Sequence, residues 1–161
     1  MLLVQKNFVR EIKYLLGRVP SKQWKDPAIR GIVYDLTPWH RMSSLTVQTS
    51  EDDPRDIGGW KYYCSAESDA SRIKAEIEQW LDSRDRLVYH NLLIEAAEAL
   101  LSIDFSKYGQ PVTIDGFCLY KPFQLQVYDA DETFRFNYCE YVLARRLEPA
   151  EESAERDRPP G

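Results

Sequence analysis

"IVYDLTPWHR", residues 32 to 41, marks the end of a predicted strand, with an aspartate and a histidine on either side of a tryptophan. It continues a run of β-branched and aromatic residues that begins at Ile29, and such residues are typical of core strands. Pro38 stops the run, because proline donates no backbone hydrogen bond and restricts the residue before it. The stretch predicts a core strand over residues 29–36, and the polar and aromatic side chains at its end are Asp35, Trp39 and His40.

Helices are predicted on both sides of this strand in the sequence. Apolar residues recur at helical spacing over residues 4–16, and Gly17 and Pro20 can end that helix. Two further segments, residues 68–81 and 86–103, carry apolar stripes of the same period and are separated by "DSRD". These two segments predict a helical hairpin.

Further strands are predicted where apolar residues alternate with polar ones or cluster as β-branched and aromatic residues. They are "SSLTVQTS" (43–50), "WKYYCSA" (60–66), "FCLY" (117–120), "FQLQVYD" (123–129) and "TFRFNY" (133–138). The turn "DADE" joins the last two, so they predict a hairpin. "NYCEYVLARR", residues 137–146, fits either a continuation of that strand or a short helix.

These elements predict a single α+β domain over residues 1–147, with an antiparallel sheet of about five strands flanked by about three helices. The remaining residues, 148–161, are charged, contain proline and have almost nothing to bury. Such a composition cannot offset the entropy of ordering the chain, so the tail is predicted to be disordered.

Composition excludes several classes of function. The chain has 43% hydrophobic and 29% charged residues, the balance of a soluble globular protein. It contains no apolar run near the ~18 residues that a membrane span needs, and its first residues lack the pattern of a signal peptide, so a cytoplasmic protein is expected. The net charge of -5 leaves no global basic surface for a phosphate backbone, which argues against nucleic-acid binding.

Motifs for metals, cofactors and catalysis are missing from the sequence. Cys64, Cys118 and Cys139 are widely spaced and odd in number, which argues against disulfides and a zinc site. The two histidines, His40 and His90, show no metal-binding spacing, and His90 lies on the apolar face of a predicted helix, where a core or boundary role is expected. Glycine-rich phosphate loops and GxSxG are also missing, so the sequence predicts no cofactor and favours a non-catalytic role.

Aromatic residues near loops and strand ends are the main functional hint. Aromatic side chains in such places are enriched at protein interfaces, and acidic groups beside them would attract a basic partner. The sequence therefore predicts a protein-binding module, with these contact residues: Trp39, His40, Asp52, Asp53, Trp60, Tyr62 and Asp131.

The order of the elements resembles small bacterial immunity-type families. The resemblance lies in the N-terminal helix, the strands around "IVYDLTPWHR" and "GGWKYYCSA", the helical pair and "FQLQVYDADETFRFNYCEYV", so it covers most of residues 1–147 in outline. These families are compact α+β proteins, many known only as domains of unknown function, that neutralise a cognate toxin by binding it. The resemblance implies an inhibitor that occludes a toxin through acidic and aromatic contacts, which would suit a basic toxin.

A cleft for a small ligand is the alternative that the sequence leaves open. It would form where "YDLTPWH" meets "VYDADE", with Asp35, His40 and Asp129 as the polar groups of an aromatic-lined binding or active site. A structural subunit of a homo-oligomer is a third reading, because self-association can bury aromatic patches. The sequence does not determine the oligomeric state.

Overall fold

The computed structural model of the chain describes residues 3–20, 23–25, 29–53, 62–67, 72–105, 124–129 and 136–147. Four α-helices and four strands lie in these ranges, with two short 3-10 turns at Gln23–Lys25 and Pro38–His40. In chain order the helices and strands are α1 (Leu3–Arg18), β1 (Ile29–Thr37), β2 (Met42–Thr49), β3 (Tyr62–Glu67), α2 (Lys74–Ser83), α3 (Arg86–Leu101), β4 (Gln124–Asp129) and α4 (Tyr138–Leu147).

The strands form one mixed sheet in the order β3, β2, β1, β4. β1 pairs antiparallel with β2, β2 pairs antiparallel with β3, and β1 pairs parallel with β4. The predicted α+β class is confirmed. The predicted antiparallel sheet of about five strands is wrong for the described residues, which hold four strands, one of them parallel to its neighbour. Strand direction depends on the crossover through α2 and α3, which the local pattern does not encode.

The core lies between one face of the sheet and the helices α1 and α3. β1 contributes Ile32, Tyr34 and Leu36 to this face, and all three are fully buried. Their neighbours on the helices are equally buried, for example Phe8 of α1 and Leu93 of α3. Each large apolar side chain buried in this way stabilises the fold by roughly 1.5–3 kcal/mol, so packing against β1 holds the helices in place.

A buried carboxylate joins α1 to the sheet and to the start of α2. Glu11 is fully buried and accepts a hydrogen bond of 2.7 Å from the hydroxyl of Ser43 in β2. It also accepts one of 2.8 Å from the backbone N–H of Arg72. Because a buried charge is costly unless it is hydrogen-bonded, these two bonds specify how α1 sits on the sheet.

Residues 137–146, for which the sequence fitted either a strand or a helix, belong almost entirely to helix α4. α4 begins at Tyr138, and the Asn137 side chain before it accepts hydrogen bonds from the N–H groups of Cys139 and Val127, at 3.0 and 3.2 Å. Asn137 also forms an isolated antiparallel bridge with Tyr128, the one described point where the predicted hairpin partner pairs with β4. With α4 there are four helices in the described ranges rather than about three.

Several sequence predictions lie outside the described residues. They are the strand at 117–120, most of the strand at 133–138, the turn at 130–132 and the tail at 148–161. Within the described ranges, none of the helices is both long enough and apolar enough to cross a membrane.

Candidate functional site

A pocket of about 260 Å³ opens at the end of the sheet where the two parallel strands finish. β4 ends in Asp129, which pairs with Leu36 near the end of β1, and the first turns of α3 and α4 close the sides. The described residues that line it are Arg86, Tyr89, His90, Asp129, Phe136 and Tyr138. Ligands of α/β proteins commonly bind outside the carboxyl ends of parallel strands, so the pocket lies at the place in this fold where a site is expected.

Hydrogen bonds hold the walls of the pocket in place. The Tyr89 hydroxyl donates to the backbone carbonyl of Leu36 at 2.9 Å, which ties α3 to the end of β1. His90 Nδ1 lies 2.9 Å from the Tyr138 hydroxyl, which ties α3 to α4. At the start of α3, Asp85 accepts from the N–H of Leu87 at 2.7 Å and caps the helix. These side chains are therefore positioned before any ligand arrives.

Aromatic rings form one side of the pocket and its rim. Phe136 and Tyr138 meet edge to face with ring centroids 4.8 Å apart, and the His90 ring lies 5.2 Å from Tyr138. Phe136 also contacts Tyr141 of α4 at 5.4 Å, yet it remains 39% exposed. An apolar ring that is packed and still open to solvent can contact a ligand or partner without rearrangement.

A second aromatic cluster lies behind Tyr89. The rings of Trp39, Trp80 and Tyr89 are 5.8 to 5.9 Å apart in every pairing, and the guanidinium of Arg84 lies 5.1 Å above the Trp80 ring. Trp39 is half-buried in this cluster. Trp39 supports the pocket indirectly, because its ring packs against Tyr89, which lines the pocket.

Two carboxylates lie at the ends of the paired strands β1 and β4, on opposite faces of the sheet. Asp129 is 8% exposed and lines the pocket. It pairs with Leu36, so Asp35, the residue before Leu36, has its side chain on the other face. Burial, together with the negative charge of Asp129, raises the pKa of Asp35 from 3.8 to about 6. The carboxylates therefore repel each other although they do not share a cavity.

The cleft predicted from Asp35, His40 and Asp129 is wrong in its composition. Asp129 lines the pocket, whereas Asp35 lies on the opposite face of the sheet. His40 is exposed in the turn after β1, where its ring contacts Trp39, and it does not line the pocket. The pleat of β1 accounts for Asp35, because successive side chains of a strand point to opposite faces. His40 lies beyond the strand, in the 3-10 turn Pro38–His40.

The predicted partner contacts are spread over the structure. Trp39 and His40 lie beside the pocket, in the turn behind Tyr89. Asp52 lies in a turn at the other end of β2, where its carboxylate accepts hydrogen bonds from the N–H and the hydroxyl of Thr49. Asp53, the next residue, is exposed. Tyr62 is only 8% exposed, which leaves little of it for a partner. Trp60 and Asp131 lie outside the described residues.

Sequence reasoning missed most of the residues that line the pocket. His90 was expected in a core or boundary role, and its hydrogen bond to Tyr138 is consistent with that, but its place in the pocket depends on α4. Arg86, Phe136 and Tyr138 carry no local signal of function. Among the cysteines, Cys139 is buried, and burial raises the pKa of its thiol. In the described ranges no group of three His, Cys, Asp or Glu residues is arranged to hold a metal ion.

Comparisons with known protein families, with curated proteins and with solved structures find no match for this chain.

Proposed function

We propose that this protein is a non-catalytic binding module that recognises a protein partner, and that its role is that of an immunity-type inhibitor which occludes a toxin. The observation that supports the proposal is the strand-end pocket, a small recess with hydrogen-bonded walls and an exposed aromatic rim. Interfaces concentrate their binding energy in a few anchors that fill such recesses.

The size of the pocket favours a side chain as its occupant. At about 260 Å³ it lies below the roughly 300–1,000 Å³ of pockets that enclose drug-sized ligands. Phe136 at the rim is 39% exposed, and Leu87 in the first turn of α3 is 64% exposed. A partner could insert one side chain into the recess and cover these exposed apolar residues with the surrounding part of its surface.

The chemistry of the lining supports binding rather than covalent catalysis. None of the described residues that line the pocket is a serine, threonine, cysteine or lysine, the side chains that most often act as activated nucleophiles. The Tyr138 hydroxyl and His90 Nδ1 are engaged with each other.

A small-ligand site is the second candidate, and the position of the pocket favours it. The carboxyl ends of parallel strands are where many α/β proteins bind small molecules, and His90 and Asp129 could exchange protons with such a ligand. In this case the isolated chain would bind the ligand with full affinity, and no protein partner would be needed.

The test is capture of the partner with the tagged chain and with two variants. Phe136→Ala removes the exposed ring at the pocket, whereas Leu3→Ala removes an exposed apolar side chain of α1 and serves as the control. We expect the parent and Leu3→Ala to retain one stoichiometric partner, and Phe136→Ala to bind the purified partner at least tenfold more weakly.

The inhibitor role requires a further measurement. The purified partner should lose its enzymatic or toxic activity when the chain is added in equal amounts. Equal binding by Phe136→Ala and the parent, or a partner whose activity is unchanged on binding, would contradict the proposal.

A further inference from the structure

The described lining of the pocket contains one buried carboxylate, Asp129, and one exposed cation, Arg86. Asp35, on the other face of the sheet, interacts electrostatically with Asp129. Asp85 caps α3, whose first turn forms one wall of the pocket. A positive group in the pocket would relieve the repulsion between Asp35 and Asp129, and a negative group would increase it. A carboxylate has about four lone-pair positions, so Asp129 can accept from a ligand in addition to bonds within the chain.

The aromatic walls point to the same kind of occupant. The hydroxyls of Tyr89 and Tyr138 are engaged with the Leu36 carbonyl and with His90, so these two largely buried residues contribute mainly ring surface to the lining. Phe136 adds a third ring. The faces of such rings attract a cation that lies within about 6 Å of their centres, and the attraction grows when the cation is desolvated.

Arg86 is the arginine among the described lining residues, and its positive charge opposes a cation in the pocket. It is the first residue of α3 and is exposed to solvent, whereas Asp129 is buried. Solvent and salt screen an exposed charge far more than a buried one. The charge of the buried Asp129 is therefore screened less than that of Arg86, which favours a cation beside Asp129.

From these contacts we infer that the pocket takes a single cationic side chain, lysine or arginine, from the partner. This inference rests on the proposed function and adds the chemistry by which the partner is recognised. The aliphatic part of such a side chain would lie against Phe136, and its charged end would reach Asp129.

Small probes test this inference without the partner. The full chain is titrated with n-butylguanidinium, with n-butylammonium, with the neutral pentanamide and with the anionic pentanoate at constant ionic strength. Binding is followed by amide chemical shifts in two-dimensional NMR. We expect the two cations to shift the amides of Arg86, His90 and Tyr138 with a Kd on the order of 10 mM, and pentanamide and pentanoate to bind about tenfold more weakly or not at all.

Variants separate the effect of Asp129 from a general effect of charge. Asp129→Asn should weaken n-butylguanidinium binding at least about tenfold. Glu51→Gln makes the same change to an exposed carboxylate in the turn after β2, at the opposite end of the sheet, and should leave binding unchanged. If Asp129→Asn does not fold, the comparison of the four probes on the parent chain still tests whether the pocket prefers a cation. Pentanoate binding as tightly as the cations, or no shift with either cation, would overturn the inference.

The outcomes distinguish this inference from the proposed function. If Phe136→Ala abolishes partner binding but neither cation binds the parent chain, the proposed function stands. The inference that the pocket takes a cationic side chain is then overturned. Cation binding with no partner captured would support the chemistry of the pocket and contradict the protein-binding role.

Discussion

Asp35 is a residue whose chemistry depends on its position at the end of β1. The sequence shows an aspartate after an apolar run, which could be an ordinary surface residue. In the structure it lies on the opposite face of the sheet from the pocket, and burial and the charge of Asp129 raise its pKa to about 6. The folded chain therefore binds a proton at Asp35 more tightly than the unfolded chain does.

Asp35→Asn should stabilise the protein at neutral pH. Between about pH 4 and pH 6 the folded chain holds more protons than the unfolded one, so the free energy of unfolding falls as pH rises and stays lowered above this range. Because the raised pKa of Asp35 is about 6 rather than 3.8, we expect Asp35→Asn to raise the free energy of unfolding at pH 7 by up to about 3 kcal/mol and to change it little at pH 4.

Urea unfolding at both pH values checks this expectation. Glu51→Gln, which removes an exposed carboxylate in the turn after β2, is the control variant. A parent chain that is more stable than Asp35→Asn at pH 7 would show that ionised Asp35 contributes to stability.

At the scale of elements, the pairing of β1 with β4 forms the base of the pocket. This pairing depends on close contact at Gly31, where an added Cβ would lie 2.5 Å from the backbone oxygen of Gln124. α4 depends in turn on β4, because Asn137 bonds to the N–H of Val127 and to the carbonyl of Leu125. A change at either contact should affect the pocket as well as stability.

Gly31→Ala should lower the free energy of unfolding by about 1–3 kcal/mol, since the new methyl group meets backbone that must shift. Gly17→Ala in α1 is the matched control, because nothing lies within 4 Å of its added Cβ. Alanine is the better helix former, so Gly17→Ala should be neutral or more stable by about 0.5–1 kcal/mol. Thermal and urea unfolding of both variants would test this, and equal effects would contradict it.

Asn137→Ala should detach the start of α4 from β4. It removes hydrogen bonds to the backbone of Leu125, Val127 and Cys139, and we expect a loss of about 1–3 kcal/mol in the free energy of unfolding. Hydrogen exchange should speed up first for the amides of Val127 and Cys139. Exchange that speeds up evenly over the whole chain would show that Asn137 contributes only to global stability.

At the scale of the whole molecule, the net charge of -5 favours a basic partner. The net charge and the proposed interface should act on different steps of binding. Long-range charge speeds association, and contacts in the pocket slow dissociation. Exposed charges are screened by salt, with a Debye length of about 10 Å at 0.1 M and about 3 Å at 1 M.

The association rate of the chain with its purified partner should therefore fall about tenfold or more between low and high salt, while the dissociation rate changes much less. Surface plasmon resonance over a range of sodium chloride concentrations would measure both rates. An association rate that is independent of salt, or that rises with it, would rule out a basic partner.

Local sequence patterns were sufficient for the α+β class, the helices α1, α2 and α3, and the strands β1 to β4, because apolar periodicity and turn residues act locally along the chain. For residues 137–146 the local pattern fitted two structures, and only the tertiary structure decided for a helix, through the bonds that Asn137 makes to β4.

The pocket, in contrast, is formed by long-range contacts. The parallel pairing of β1 with β4 brings Asp129 beside α3, and α4 brings Phe136 and Tyr138 to His90, so the residues of the pocket come from segments far apart in the sequence. The pleat of β1 then excludes Asp35 from the cavity although it is close to Asp129. Contacts of this kind depend on strand direction and register, which long-range packing determines and no short stretch of sequence encodes.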